Sequence, residues 1–236
     1  MLNNEKKKVD LHLICISFLI FGSKWFFSYY EYGLENIFIK FLFNPSGDYS
    51  YYPFVHQLSN LILNEGYSPL SQDNDLIGFP FMVALIHSIF YKMFGVLGFI
   101  IIEFICIYIF LKIFFHIFKV LNFHDSYCIL ISLILFSLYP LFSLFNEFNI
   151  PYALNLKQLY SSFYSLRFPR PLITNLFFFS FILFLIKYYL GKKPESKKFN
   201  LFLTFIFLGA LFNSFFFFFI VCSILLFWII ILDLKK

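Results

Sequence analysis

Charge is what this chain has least of. Only 13% of its 236 residues are charged and 61% are hydrophobic, with a mean hydropathy of +0.81, whereas a soluble domain carries about 25% charge. A freely soluble globular fold is therefore excluded. Zinc and redox motifs are missing too: Cys15, Cys106, Cys128 and Cys222 lie in apolar segments without CxxC or Cys/His spacing, which fits small apolar side chains in helices. His12, His56, His87, His116 and His124 are scattered, so no metal site is expected. There is no phosphate-cradling glycine loop and no nucleophile elbow, and no cofactor is expected. The net charge of +5 does not signal nucleic acid, because the lysines cluster at the ends of apolar runs, as the positive-inside rule requires.

Long apolar runs are what the chain does have. They are too long and too little alternating for a transmembrane barrel, so the expected fold class is all-α: a polytopic transmembrane helical bundle in a single domain, residues 1–236. The first run, 11–30, follows Asn-Glu-Lys-Lys-Lys and ends in Trp25-Phe-Phe-Ser-Tyr-Tyr without a small-residue cleavage pattern, which predicts a retained span rather than a signal peptide. Further spans are expected at 96–120, 127–146, 171–190, 200–213 and 214–234, six in all. The last apolar stretch, 200–234, would reach about 50 Å as one helix, more than a bilayer core of about 30 Å. A break is expected between Gly209 and Ser214.

Between the first two spans, residues 31–95 form an outer loop with two amphipathic juxtamembrane helices. Its first part holds Glu31, Glu35, Asp48, Glu65, Asp73 and Asp75 against a single lysine, Lys40, as expected outside the cytoplasm. Phe54, Val55, Leu58, Leu61 and Ile62 recur at helical spacing opposite His56, Gln57, Ser59, Asn60 and Asn64, with Pro53 suited to a first turn. Residues 78–94 are expected to lie flat on the surface, with His87, Ser88, Tyr91 and Lys92 as a polar stripe. That choice keeps Lys112, Lys119 and the lysine-rich 191–198 loop on the same side as the N-terminus. The expected location is a bacterial inner membrane, N-terminus in the cytoplasm.

Five residues are candidates for chemistry. The two arginines, Arg167 and Arg170, stand three positions apart just before the 171–190 span, although the other sixteen basic residues are lysines. A guanidinium grips phosphate with two bonds where lysine offers a point charge; two interfacial cations can equally snorkel to lipid phosphates. Asp48, in Asn44-Pro-Ser-Gly-Asp-Tyr-Ser-Tyr-Tyr-Pro53, fits a turn or helix-initiating carboxylate and also a general base at the membrane surface. Glu103 sits about 10 Å inside its span, where a carboxylate is costly and faces a bundle interior or a wet cavity. His56 lies on the polar face of the helix that follows Asp48.

The arrangement of a first span, an acidic outer loop with Gly47-Asp48, then Tyr51-Tyr52 and an amphipathic helix, then a Pro-containing apolar helix closing with Tyr91-Lys-Met-Phe-Gly95, resembles the N-terminal module of the GT-C superfamily. These are integral-membrane glycosyltransferases that use polyprenyl-phosphate-linked sugars. The resemblance implies transfer of a sugar to an acceptor hydroxyl on a glycan, lipid or protein, with Asp48 as the catalytic acidic residue. Arg167 and Arg170 would then hold the departing phosphate, with His56 and Glu103 lining the substrate cavity. Where members carry an arginine after the second juxtamembrane helix, this chain has Glu103. Alternative expectations are a transporter or flippase for lipid-linked glycans, a polymerase or ligase of such glycans, and an inactive glycosyltransferase fragment.

Overall fold

The computed structural model describes residues 7–22, 51–63, 80–135 and 170–234, and of Tyr51, Arg170, Pro171 and Leu234 the backbone only. All regular structure among them is helical: α1 (7–22), α2 (Tyr51–Ser59), α3 (Phe81–Phe94), α4 (Leu97–Val120), α5 (Asp125–Leu135), α6 (Arg170–Leu190), α7 (Pro194–Phe212) and α8 (Phe216–Leu234). Three of them are long and apolar enough to cross a membrane: α4, Leu172–Leu190 of α6 and Phe216–Asp233 of α8. At about 1.5 Å per residue each covers roughly the thickness of a bilayer core. The expected spans 11–30 and 127–146 run beyond the described residues.

Helix α6 is the centre of the bundle and contributes to two apolar cores. On one side Ile173, Leu176 and Leu183 join Ile102, Ile107, Phe110 and Phe114 of α4 with Leu13 of α1 and Cys128 of α5. On the other, Phe181 and Leu185 join Leu208 and Leu211 of α7 with Cys222 and Leu226 of α8. Helix α1 runs antiparallel to α4, since Asp10 pairs with Lys112 while Phe18 and Phe21 both meet the Phe104 ring. Helix α7 runs antiparallel to α6, with Phe207 stacked on Phe184 at 5.6 Å and Lys197 over the Tyr188 ring. The same end receives the last turn of α8, where Asp233 accepts hydrogen bonds from Tyr188 Oη at 2.9 Å and Lys197 Nζ at 3.0 Å. The α7–α8 turn therefore lies at the opposite end, with the start of α6.

The break in the final apolar stretch falls at Asn213–Phe215, at the edge of the expected window, and Gly209 stays inside α7. Helix α7 begins earlier than expected, taking in Lys197 and Lys198 and leaving only residues 191–193 as connection. Pro194 in the first turn has no N–H to leave unpaired, and Glu195 there complements the positive end of the helix dipole. The run Phe215–Phe219 serves both as filler and as outer surface: Phe218 and Phe219 pack on the core while Phe217 is exposed.

The polar stripe assigned to the surface of α3 is corrected. His87 and Ser88 are buried with Val83 and Ala84, and Ile89, Met93 and Phe94 are exposed instead. The stripe divides: His87 and Ser88 turn toward protein partners, Tyr91 is half-buried, and Lys92 keeps the exposed position expected of it. Helix α2 is shorter than its apolar pattern. It stops at Ser59, and Ile62 N–H returns to the Gln57 carbonyl while Leu61 N–H bonds to Leu58. This Schellman closure holds Leu61 in the left-handed region at φ 61° and leaves its side chain exposed.

Candidate functional site

Helices α2 and α3 pack together over the first turns of α4. Pro53 presets the first turn of α2, and the spacing of Val55 and Leu58 puts both on one face, buried against Ala84 and Phe99. Phe99 is the hub of this contact: its ring meets Tyr52 edge-on at 5.4 Å, Tyr91 at 5.7 Å and His87 at 6.0 Å. The turn between α3 and α4 depends on two glycines. Gly95 adopts φ 59°, and Gly98 brings the helices so close that a Cβ there would stand 2.4 Å from the Phe90 carbonyl oxygen.

This assembly is tied to the end of the bundle where α6 begins. Met82 N–H donates to the Asn213 carbonyl at 3.2 Å, fixing the first turn of α3 against the α7–α8 turn, and α3 also touches α6. The backbone of Arg170, the first residue of α6, lies at that end.

Polar groups gather here in a largely apolar protein. His87 is buried, its Nδ1–H donating to the Val83 carbonyl at 2.9 Å, and burial pushes its pKa down to about 4, so the ring is neutral near pH 7. Thr174, one turn into α6 from Arg170, is only 3% exposed, and Ser214 in the α7–α8 turn is fully buried. Neither hydroxyl oxygen has a hydrogen-bond partner among the described residues. Both lie four residues before the Phe178–Phe218 ring contact of 5.0 Å, hence at a similar level of the bundle. Asn175 is buried beside Thr174 in sequence.

Of the five sequence candidates, His56 and Glu103 are described in full. His56 is exposed, edge-on to Tyr91 at 5.9 Å, with its Nε2 3.4 Å from Asn60 Nδ2. Glu103 is half-buried in α4, one turn below Phe99 and two turns above Phe110, on the face that meets α3 and α6. The start of α2, the start of α4 and the start of α6 are thereby brought into one region. Asp48 and Arg167 lie outside the described residues, as does the side chain of Arg170.

Among the described residues this end of the bundle carries a neutral imidazole, two buried hydroxyls, a buried amide and a half-buried carboxylate, groups able to hydrogen-bond phosphate and sugar oxygens. Among the described residues no three His, Cys, Asp or Glu side chains cluster as a metal site. Sequence reasoning missed Thr174, Asn175, Ser214 and the burial of His87. The available signal was the Thr-Asn pair one turn after Arg170, polar residues in the opening turns of an otherwise apolar helix.

No protein-family model matches the chain, and neither the curated proteins nor the solved structures compared with it gave a match.

Proposed function

We propose that the chain is an integral-membrane glycosyltransferase that moves a sugar from a polyprenyl-phosphate donor to an acceptor hydroxyl at the outer face of the membrane, through a six-span bundle. The observation that carries this reading is the two-helix assembly of α2 and α3, seated on Phe99 and tied to the end of the bundle where α6 starts with Arg170. A donor whose phosphate must be held at the membrane surface needs donors fixed at that depth.

In this reading Asp48 takes the proton from the acceptor hydroxyl as that oxygen attacks the anomeric carbon. The bond from that carbon to the phosphate oxygen breaks, and the electron pair leaves on the polyprenyl phosphate. Arg167 and Arg170 hold the phosphate as its charge grows, so they stabilise the transition state more than the ground state. Glu103, His56 and the buried hydroxyls of Thr174 and Ser214 line the cavity that receives the sugar.

The test is transfer from a panel of radiolabelled polyprenyl-monophosphate sugars in membranes carrying the full chain. Wild type is expected to consume at least one donor, with Asp48→Asn reducing turnover by more than a hundredfold. Arg170→Lys separates a bidentate clamp from a point charge, since only the point charge survives the change. Full activity of Asp48→Asn would end the catalytic assignment.

A further inference from the structure

At the other end of the bundle, far from Phe99, a groove of about 630 Å³ opens between α1 and α5. Its rim comes from the first two turns of α1, with Lys8 and His12, and from the start of α5, with His124, Asp125 and Ser126. Its walls are apolar, made by Val9 beside Lys8 and by Ile129, Leu130 and Leu133 further along α5. Outside the groove, Leu11, Ile14, Tyr127 and Ile134 are exposed apolar side chains, as expected of a surface that meets acyl chains.

The one carboxylate that lines the groove, Asp125, is taken up by Lys119, and the nearby Asp10 is taken up by Lys112. Among the described residues no carboxylate pairs with Lys8. The imidazoles are oriented by the backbone: His124 Nδ1 accepts the Ser126 N–H at 3.4 Å, which leaves its Nε2–H as a donor, and His12 Nδ1–H donates to the Lys8 carbonyl at 2.7 Å. Cationic and N–H donors above an apolar cleft match a ligand with an anionic head and a hydrocarbon tail.

We propose that this groove binds an anionic phospholipid, its phosphate held by Lys8 Nζ and His124 Nε2 beside His12 and an acyl chain lying against Ile129, Leu130 and Leu133. The site is separate from the proposed transfer site, lies at the opposite end of α4, and stands whether or not the chain transfers sugar. A lipid in this position would join α1 to α5 and so stabilise that side of the bundle.

The experiment uses the full chain purified in a mild detergent and titrated with dioleoyl phosphatidylglycerol, dioleoyl phosphatidylcholine or inorganic phosphate. The readouts are thermal melting and native mass spectrometry. Phosphatidylglycerol is expected to raise the melting temperature more than phosphatidylcholine and to be retained as a discrete adduct. Lys8→Gln with His124→Gln is expected to weaken phosphatidylglycerol binding by at least roughly fivefold, the scale of one lost basic contact at an anionic surface. Lys8→Arg should keep the preference, and Lys193→Gln, at the α6–α7 connection, should not change it. If the double variant does not fold, Leu130→Trp decides, because it fills the groove from a half-exposed position and should reduce retention of the lipid. Equal binding of the two lipids, an undiminished preference in the double variant or in Leu130→Trp, or the same stabilisation by inorganic phosphate alone would each overturn the proposal.

Discussion

The Lys112 ammonium of α4 lies 3.0 Å from Oδ1 of Asp10 in α1. The pair is about one-third exposed and worth less than about 1 kcal/mol as an ion pair. Its value is as a marker of register. It sets the beginning of the chain beside the last third of α4, the end that also carries Lys119 and the start of α5, whereas Phe99 and the α2–α3 assembly lie about 20 Å away along the helix.

That register makes a cross-linking prediction. In a chain whose four cysteines are replaced by Ala, the pair Asp10→Cys with Lys112→Cys is expected to be joined within one chain by a short bis-maleimide cross-linker in membranes, whereas Asp10→Cys with Phe99→Cys is not. The measurement is a mobility shift on a denaturing gel. A cross-link to position 99 instead would mean that α1 and α4 run parallel.

His87 gives a pH prediction. Its folded pKa is depressed from 6.5 to about 4 by burial, so the folded state resists the proton that the unfolded chain accepts. Above about pH 6.5 both states are neutral at this residue and it contributes no pH dependence. As pH falls from about 6.5 to about 4 the unfolded state binds the extra proton and stability declines, by at most about 3 kcal/mol, levelling off below the folded pKa. Melting in detergent should show this decline, and His87→Gln should flatten that part of the profile. A profile unchanged by His87→Gln would show that other groups cause it.

These residues also show where the sequence speaks and where it is silent. The α4, α6 and α8 spans were legible because long uninterrupted apolar runs admit one reading in a bilayer. The facing of α3 was not: its polar stripe has the period of an interfacial helix, but period alone does not say whether lipid, water or protein lies against it. The start of α7 was hidden because Pro194-Glu-Ser-Lys-Lys reads as loop composition and is also good chemistry for a first helical turn. In the candidate site, His56 and Glu103 could be named from their placement on helices. Thr174 and Ser214 could not, since single small polar residues in apolar runs are common and only packing reveals that they are buried.

Gly98 is expected to be intolerant of any side chain. An added Cβ would meet backbone, the Phe90 carbonyl group, which cannot rotate away as a flexible side chain would. Gly98→Ala should therefore force α3 off α4 and cost about 1–3 kcal/mol. Gly209→Ala has no atom within 4 Å to strike and lies inside a helix, so it should be neutral or stabilise by up to about 1 kcal/mol. Comparing the two variants by yield of folded protein and melting temperature tests the close approach of α3 to α4. Equal behaviour would argue against it.

Thr174 separates folding from function. Its Oγ1 is buried without a hydrogen-bond partner among the described residues, a state that costs about 1–3 kcal/mol unless something bonds to it. Thr174→Val keeps the shape and removes the oxygen, so the purified chain should be as stable as wild type or more so by about 1 kcal/mol. If the oxygen hydrogen-bonds the donor phosphate or sugar, the same variant should lose about tenfold in turnover, the equivalent of about 1.4 kcal/mol. Thr174→Ser, which keeps the hydroxyl, should restore most of it. The informative result is this divergence: a variant that melts no lower than wild type yet transfers less. Reduced stability in Thr174→Val would mean that the hydroxyl already has a structural partner, and unchanged turnover would remove Thr174 from the proposed cavity.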